Sequence, residues 1–374
     1  MECIKDDLDS QQFGCLPKSC ATFALIEMVH TWLTCVEQPG TCVRVLLLDY
    51  SKAFDRVDHT TLLSKLANTS CPDFLVQWVT SFLCQRQQRV KLGNTYSSWS
   101  DVKAGVPQGT LLGPTAFLLQ INDLKTTCPS VKYVDDTTIW ESCGWEGTDS
   151  KIQTAADQAL LWSCNNKMVI NADKTKEMVI YFGRKPLKTS SIKIDNRDIE
   201  SVNSAKVLGV IINNQLKLNN HIDYITKKAS SRLYFLRLLQ RAGVPYPDIF
   251  QVYTSIIRSL LEYACEVWHP GLTSGLSEEL ESIQKRALKI ILPDHCYNDA
   301  LLELSTSTLH HRRVNLCQKM FQEISKPEHK LHHLLPPARN VATNLRKNLQ
   351  YELPKVRTMR LKNSPINYGL FNFQ

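Results

Sequence analysis

Two adjacent carboxylates interrupt a β-prone segment in the first half of the chain. Asp135 and Asp136 stand between two short apolar pieces, Val131 to Val134 and Thr137 to Trp140. This pattern predicts a β-hairpin with both acids at its tight turn. Two like charges at one turn repel each other unless a cation lies between them, and carboxylates commonly bind divalent metals. The alternative is a solvated turn, since Asp is an ordinary turn residue.

A third acid favours the metal-binding interpretation. Residues 43–48 form an apolar, β-prone run that is typical of a buried strand, and Asp49 ends it. Ser51 or Asp55 is expected to cap a helix over residues 59–66. If the strand and the hairpin share a sheet, Asp49 joins the two turn acids in a three-carboxylate cluster. Such a cluster suits two Mg²⁺ ions about 3.5–4 Å apart, which activate a 3′-hydroxyl and stabilise a leaving pyrophosphate.

The distribution of charge indicates a polyanionic partner. The formal net charge is +8, with 44 Lys and Arg against 36 Asp and Glu. Basic residues concentrate in two stretches, 184–241 and 301–374, whereas residues 1–300 are balanced overall. Basic stretches beside an acidic centre suit a polyanion that is held at its flanks. Ordinary solvated helix faces are the alternative for each stretch.

The remaining composition excludes several classes of protein. The 13 cysteines lack the paired spacing of a zinc motif, and their odd number and apolar neighbours predict reduced thiols in an intracellular protein. The acidic N-terminus is unlike a signal peptide, and no apolar stretch is long enough for a membrane span. A chain of 374 residues with 43% hydrophobic residues predicts about two or three domains.

A loop rich in glycine and proline, residues 104–114, precedes a helix predicted over residues 116–123. Such a loop lets the backbone approach a ligand closely. Gln108 within it offers both a donor and an acceptor. A plain turn before a helix is the alternative. Further along, a β-prone run at residues 207–212 gives way to predicted helices over residues 221–239, 248–268 and 278–292.

The order of these pieces is more specific than any one of them. Five motifs follow one another along the chain: LLLDYSKAFDRVDH, AGVPQGTLLGP, YVDD, INADKTK and KVLGV. Together they resemble the motifs of a reverse transcriptase palm, and more narrowly those of non-LTR, LINE-type retrotransposon enzymes of the jockey and Rex/Babar kind. The resemblance runs from about Gln12 to the C-terminus. It implies an α+β fold: a right-hand polymerase palm, an antiparallel sheet backed by helices, with partial fingers and an α-helical thumb.

The resemblance assigns roles to the residues around the carboxylates. Asp49, Asp135 and Asp136 match the catalytic, metal-binding aspartates, with the carbonyl of Tyr50 as a further ligand. The ions would be two Mg²⁺, with Mn²⁺ as a substitute. Phe54 matches the aromatic steric gate that selects deoxynucleotides, and a core phenylalanine is the alternative.

Three other motifs receive roles in the same way. Gln108 and Gly109 match the loop that lies along the incoming nucleotide and the template. Lys174 matches a catalytic lysine that protonates the leaving pyrophosphate, and a solvated turn lysine is the alternative. Leu208 and Gly209 match the primer-grip hairpin.

The resemblance also divides the chain into functional segments. Residues 1–48 would be partial fingers and the start of the palm, and residues 49–212 the palm with interleaved fingers elements. Residues 213–300 would form a helical thumb that holds the template–primer duplex through its phosphates, and residues 301–374 a basic C-terminal extension.

Three departures from the family are expected, and the first two bear on activity. The earlier fingers segment is expected to be missing, as in a 5′-truncated copy of an element. The family's Gly-Arg-Ser-Thr is replaced by Lys18-Ser19-Cys20-Ala21, so an arginine is lost. The family's hairpin also more often has alanine where this chain has Val134.

The expected function is RNA-directed DNA polymerisation in the nucleus, with an RNA template, a DNA primer or RNA–DNA hybrid, and dNTPs as partners. No membrane is expected to take part, and an endonuclease would act in trans. The alternative is a catalytically weak or inactive remnant that only binds nucleic acid. A metal-dependent nuclease is disfavoured, because Phe54 and Gln108 would have no role in it.

Overall fold

The computed structural model describes residues 2–107, 109–147, 149–185, 187–339 and 349–374. The chain divides into two compact units. The first consists of residues 1–24 and 40–203, and the second of residues 25–39 and 204–374. Helix α1, Ala21–Val36, runs from one to the other.

The first unit contains most of the strands. Its helices after α1 are α2 (His59–Ala67), α3 (Asp73–Leu83), α4 (Leu112–Ile121) and α5 (Ile152–Asn165), with 3₁₀ turns at Glu2–Asp7 and Phe54–Arg56. Its strands are β1 (Thr41–Leu48), β2 (Gln87–Gln88), β3 (Lys91–Leu92), β4 (Thr95–Tyr96), β5 (Ser100–Asp101), β6 (Ser130–Tyr133), β7 (Asp136–Gly144), β8 (Lys176–Ile180), β9 (Lys193–Ile194), β10 (Arg197–Asp198) and β11 (Glu200–Ser201).

A five-stranded sheet in the order β11-β8-β1-β7-β6 organises this unit. Strand β1 is central and pairs antiparallel with β7 on one side and β8 on the other, whereas the short β11 runs parallel to β8. The largely buried, Val- and Leu-rich β1 confirms the strand predicted at residues 43–48. The predicted mixed helix-and-sheet fold is therefore confirmed.

Helices cover the sheet and form its core. Leu46 and Leu48 of β1 and Ile139 of β7 belong to a buried cluster with side chains of α2, α3, α4 and α5. Helix α4 is apolar almost all round and is buried along most of its length, with Phe117 fully covered. A helix that is apolar on every side belongs in the interior, which explains this position.

The β6–β7 hairpin corrects the position of its turn. Tyr133 pairs with Asp136, so the turn residues are Val134 and Asp135, and Asp136 is the first residue of the return strand. The prediction that both acids occupy the turn itself was wrong by one residue. The cause is local, because Val134 adopts a left-handed backbone conformation with φ of +61° and lets the chain reverse one residue earlier.

The cap of helix α2 also differs from the prediction. The carboxylate of Asp58 accepts a hydrogen bond from the backbone N–H of Thr61, so Asp58, rather than Ser51 or Asp55, is the N-cap. Residues 54–56 first form a 3₁₀ turn, which delays the start of the α-helix.

The second unit is mainly helical. Strands β12 (Ser204–Val207) and β13 (Val210–Asn213) form an antiparallel hairpin. The helices are α6 (Asn219–Arg241), α7 (Tyr246–Val252), α8 (Ser259–Glu262), α9 (Cys265–Trp268), α10 (Ser274–Ile291), α11 (Tyr297–Glu303), α12 (Leu309–Ile324), α13 (Met359–Lys362) and α14 (Pro365–Asn372). A π-helical segment, Tyr253–Arg258, joins α7 to α8, and 3₁₀ turns lie at His269–Gly271 and His332–Leu334. In the part of the chain that the structure describes, no helix could span a membrane.

Two helix predictions in this unit need correction. The single helix expected over residues 248–268 is interrupted, because Ala264 has a φ of +50°, which an α-helix does not tolerate. Helix α10 begins at Ser274 with Thr273 as its N-cap, earlier than the start predicted at residue 278. One boundary between the compact units falls between residues 203 and 204, whereas the division into fingers, palm, thumb and extension stays a prediction.

Candidate active site

The three predicted carboxylates lie at one end of the central strands. Asp49 directly follows β1, Asp135 lies in the hairpin turn, and Asp136 begins β7. Leu48 pairs with Thr137, so extending this register by one residue places Asp49 across from Asp136. The sheet therefore brings Asp49 close to an acid pair that begins 86 residues later in the sequence, as the strand-and-hairpin argument predicted.

The carboxylates repel one another. Partial burial, together with repulsion from Asp135 and Asp49, raises the pKa of Asp136 to about 6. Burial and the charge of Asp49 also raise the pKa of Asp135. A bound cation would relieve this repulsion and favour the ionised carboxylates.

The acids have the right chemistry for Mg²⁺ without forming a closed metal site. Hard divalent cations prefer carboxylate oxygens, and this end of the sheet offers three such side chains. Within the described residues, however, no three His, Cys, Asp or Glu side chains converge closely enough to hold a metal ion. Binding would require side-chain rotations of Asp49, Asp135 or Asp136, which their partial exposure permits.

The hairpin turn is held from behind by the segment from Gln12 to Gly14. The side-chain oxygen of Gln12 accepts hydrogen bonds from the backbone N–H groups of Val134, at 3.1 Å, and Gly14, at 2.8 Å. Gln12 is 2% exposed, and the N–H of Phe13 donates to the carbonyl of Lys132. A Cβ on Gly14 would lie 2.6 Å from the backbone nitrogen of Val134, so only glycine fits there.

Val134 makes this support necessary. It is β-branched, and its φ of +61° is a conformation that such residues rarely adopt. The surroundings must offset the cost of this strain, which is of order 1–3 kcal/mol. Gln12 does so by binding the strained peptide directly. The signal in the sequence was the Gln-Phe-Gly tripeptide, but nothing local to it indicated which turn it would contact.

Asp49 is held by a second loop. The N–H of Asn171 donates to the carbonyl oxygen of Asp49 at 2.8 Å, and the N–H of Asp49 donates to the hydroxyl of Thr175 at 3.2 Å. Lys174 lies in the same turn, with its N–H bonded to Asn171 and its side chain exposed. The neighbouring Lys176 instead forms an ion pair with Glu200 at 2.5 Å.

The backbone after Asp49 leaves one carbonyl directed away from this loop. Tyr50 and Ile170 form an isolated antiparallel bridge. The hydrogen bonds of this bridge are made by the residues on either side, for example from the N–H of Ser51 to the carbonyl of Val169. In such a bridge the central residue's own N–H and C=O point to the opposite side. This orientation is compatible with the predicted ligand role of the Tyr50 carbonyl.

Phe54 and the glycine-rich loop form one packed layer. The Phe54 ring is half-buried and stacks on Phe117 with centroids 4.8 Å apart, while its carbonyl accepts from Val106 N–H. Nε2 of His59 donates to the carbonyl of Gly105 at 2.7 Å. Gly105 has a φ of +87°, and a Cβ there would lie 2.9 Å from the carbonyl oxygen of Asp55. The start of the loop is therefore rigidly attached to the segment after β1.

The far end of this loop is described only in part. Gln108 lies outside the described residues. Gly109 has a φ of +80° and open space where a side chain would lie, so its backbone is accessible. The loop therefore has a fixed base and an open tip.

The predicted primer-grip residues lie in the second unit. Leu208 and Gly209 form the two-residue turn of the β12–β13 hairpin, with φ of +45° and +90°. Positive φ at both positions is the mark of a type I′ turn. The hydroxyl of Tyr263 donates to the Leu208 carbonyl at 2.9 Å, and a Cβ on Gly209 would lie 2.8 Å from the Tyr263 ring. Their functional role stays a prediction.

Comparison with protein families gives two matches. The family described as "Reverse transcriptase (RNA-dependent DNA polymerase)" matches residues 1–212, more than half of the chain. This range includes the three carboxylates and the segments at residues 12–14 and 171–175 that hold them. A shorter segment, residues 218–259, matches the family described as "Alkylated DNA repair protein alkB homolog 8, N-terminal".

Two curated proteins from Drosophila melanogaster are similar over most of this chain. The probable RNA-directed DNA polymerase from transposon X-element is 26% identical over 88% of this chain and 36% of its own length. The RNA-directed DNA polymerase from mobile element jockey is 26% identical over 83% of this chain and 36% of its own length. The chain thus spans about a third of the length of these relatives.

Among solved structures, telomerase from Candida albicans in complex with a fragment of telomeric RNA shows a weak likeness. It covers 81% of this chain and 55% of that chain, with a TM-score of 0.34 and 14% sequence identity.

Proposed function

This chain belongs to the reverse transcriptase (RNA-dependent DNA polymerase) family, among the non-LTR retrotransposon enzymes, and we propose from this premise that it acts as their RNA-directed DNA polymerase domain. The observation that supports the proposal best is the meeting of Asp49, Asp135 and Asp136 at one end of paired strands, where burial and neighbouring carboxylates raise the pKa of Asp135 and Asp136. The sheet and its covering helices would be the palm.

The carboxylates would hold two divalent ions, with Mg²⁺ as the expected ion. When bound, such ions activate the primer 3′-hydroxyl and stabilise the leaving pyrophosphate. The protein's own contribution is positional: Gln12 fixes the turn that carries Asp135, and Thr175 fixes the backbone of Asp49. Pre-set geometry of this kind lowers the barrier because no reorganisation is needed during reaction.

Selection of deoxynucleotides would depend on the Phe54 layer. Stacking on Phe117 fixes the Phe54 ring, so it cannot move aside for a ribose 2′-hydroxyl. The backbone at Gly109 and the side chain of Gln108 would lie along the incoming nucleotide and the template. Lys174, exposed on the turn that holds Asp49, would donate a proton to the pyrophosphate.

The nucleic acid would be held mainly through its phosphates. Helix α6 of the second unit carries several exposed basic residues: Lys227, Lys228, Arg237 and Arg241. Contacts to phosphates position a duplex without reading its sequence. The β12–β13 turn would contact the primer end, and a template–primer hybrid in the nucleus would be the substrate.

Primer extension tests the proposal. The 374-residue chain with an RNA template, a DNA primer, dNTPs and Mg²⁺ should extend the primer, whereas the Asp135→Ala/Asp136→Ala double variant should fall to background. Binding of the duplex should survive in the double variant, because phosphate contacts do not depend on these acids. Asp157→Asn, an exposed acid on α5, is the control and should extend like wild type. Equal extension by wild type and the double variant would refute the proposal.

One observation favours a second function, nucleic-acid binding without polymerisation. Ser19 stands where the family has an arginine, and the neighbouring cation is Lys18, whose side chain is exposed. Fewer charges around the triphosphate would weaken nucleotide binding. Salt-sensitive duplex binding without extension, even at high dNTP, would support this function, and extension at low dNTP would exclude it.

A further inference from the structure

Two cysteines face each other across the strands that carry the carboxylates. Cys42 on β1 and Cys143 on β7 are direct partners in the antiparallel register, and their sulfur atoms lie 3.4 Å apart. Both are free thiols and both are buried. Neither belongs to the candidate active site, since seven residues of β1, about 23 Å, separate Cys42 from Asp49.

The backbone at this position suits a covalent link. Directly opposed residues in an antiparallel pair have Cα atoms about 4.5–5.5 Å apart. Disulfides span Cα separations of about 4.4–6.8 Å, so the sheet supplies the required spacing without moving either strand. The sulfurs are already in contact and would need to approach by a little over 1 Å to bond.

The position in the ladder gives reagents a route to the buried pair. Thr41 and Gly144 form the last rung of the β1–β7 ladder, and the cysteines form the next one. Strand ends open locally more readily than strand centres. The two sulfurs share a hydrogen bond that lowers the pKa of Cys42 and raises that of Cys143, so Cys42 is the sulfur that attacks first.

We propose that Cys42 and Cys143 form a reversible cross-strand disulfide when a low-molecular-weight disulfide such as oxidised glutathione is present. The Cys42 thiolate attacks glutathione disulfide and releases one glutathione thiolate. The Cys143 thiolate then attacks the mixed disulfide and releases the second. Two protein thiols are oxidised, one glutathione disulfide is reduced to two glutathione molecules, and the thiol protons go to the released thiolates.

The link would brace the strands that position the carboxylates. The residues are 101 positions apart, and the closed loop contains Asp49, Asp135 and Asp136. Cross-linking a loop of this length restricts the unfolded chain more than the folded one. Oxidation therefore stabilises the first unit and leaves the carboxylate end of the sheet in place. This inference stands independently of the proposed polymerase function.

Peptide mapping tests the link directly. The 374-residue chain is incubated with oxidised glutathione, alkylated under denaturing conditions, and digested with trypsin and a glutamate-specific protease. Cleavage after Glu37, Arg44, Glu141 and Glu146 isolates Cys42 in residues 38–44 and Cys143 in residues 142–146, away from Cys20 and Cys35. We expect these two peptides to be disulfide-linked, and to separate after treatment with dithiothreitol.

Thermal unfolding supplies a second readout. The oxidised protein should melt about 5 °C or more above the reduced protein in the transition of the first unit. The Cys42→Ala/Cys143→Ala variant should show no such shift, whereas Cys128→Ala, another buried cysteine, should shift like wild type. If the double variant fails to fold, Cys143→Ala alone should stop at a glutathione adduct on Cys42.

Three results would overturn the inference. One is alkylation of both cysteines after oxidation of the folded protein. Another is linkage of Cys42 or Cys143 to other cysteines as often as to each other. The third is an oxidised protein that melts no higher than the reduced one.

Discussion

At the residue scale, the site depends on side chains that hold the backbone of the carboxylates. Gln12 is the clearest example, because one buried oxygen accepts from both Val134 and Gly14. A buried N–H without a partner costs about 1–3 kcal/mol, so loss of this oxygen would release the strained turn. The turn that carries Asp135 therefore depends on a residue more than 120 positions away in the sequence.

Replacing Gln12 should damage catalysis more than binding. Gln12→Met keeps the length of the side chain but removes the acceptor, so the Val134 turn can relax and Asp135 can shift. We expect kcat for primer extension to fall about 10–100-fold, since displacements near 1 Å can have such effects. The affinity for duplex should stay unchanged in a filter-binding assay.

The matched control is Gln12→Glu, which keeps an acceptor oxygen and should recover most of the activity. Equal losses of kcat in the two variants would contradict a role for the acceptor. A parallel loss of duplex binding would point to general unfolding instead.

Two glycines allow the cost of a left-handed backbone to be measured separately from the cost of a steric clash. Gly105 and Gly93 both have positive φ, but only Gly105 has a neighbour, Asp55, where a Cβ would lie. Gly93→Ala should lower the free energy of unfolding by about 1 kcal/mol, the cost of the left-handed conformation. Gly105→Ala should cost about 1–3 kcal/mol more, because the loop base must move away from the segment after β1. Urea unfolding of both variants measures the difference, and equal losses would contradict the close contact.

At the element scale, a buried ion pair connects the strands of the sheet. Arg44 of β1 and Glu177 of β8 are 2.7 Å apart and almost fully buried. The guanidinium also donates to the Ser150 hydroxyl and the Ser190 carbonyl, so its donors are largely satisfied. The pair therefore fixes β1 against β8 and against the loops that follow β7 and β8.

Removing one partner of this pair should be costly. Glu177→Gln leaves a buried guanidinium without its counter-charge, and we expect a loss of about 3–5 kcal/mol in the free energy of unfolding. The exposed pair Lys326–Glu323 provides the comparison, and Glu323→Gln should cost far less, because solvent screens the pair. Denaturant titration monitored by circular dichroism measures both, and similar small losses would mean that Arg44 finds another partner.

At the scale of the whole molecule, buried histidines should make the second unit sensitive to acid. The second unit buries histidines in neutral form. Burial lowers the pKa of His221 to about 4, and burial with the nearby charges of Arg313 and His310 lowers that of His269 to about 3. Burial also lowers the pKa of His30 to about 4.

These shifts predict acid sensitivity of the second unit. The folded pKa of His221 lies below its usual value of about 6.5, so the unfolded chain binds more protons between pH 6.5 and 4. The stabilisation is complete above pH 6.5 and is lost as the pH falls towards 4, by about 3 kcal/mol for His221. His221→Asn keeps an acceptor for the Ile211 N–H without accepting a proton.

The free energy of unfolding should fall less between pH 7 and pH 4 in His221→Asn than in the wild type. His311→Asn, an exposed histidine, is the control and should behave like wild type. An unchanged pH dependence in His221→Asn would mean that other groups dominate the response.

Local patterns in the sequence determined the elements and the chemistry. Three elements could be predicted because side-chain burial repeats with the period of the structure. They are the strand before Asp49, the hairpin around the acid pair and the helices after residue 213. The order of motifs identified the family. The meeting of Asp49 with the hairpin acids was also predictable, since both lie at strand ends and can share a sheet edge.

Only the tertiary structure decided which distant groups hold these residues in place. Three contacts depend on strand register and loop packing. They are the hydrogen bond between Gln12 and Val134, the packing of Gly105 against residues 54–59, and the pairing of Cys42 with Cys143. The one-residue shift of the hairpin turn and the caps at Asp58 and Thr273 have the same origin. Local sequence determines what a segment can form, whereas long-range contacts choose among conformations that differ by only a few kcal/mol.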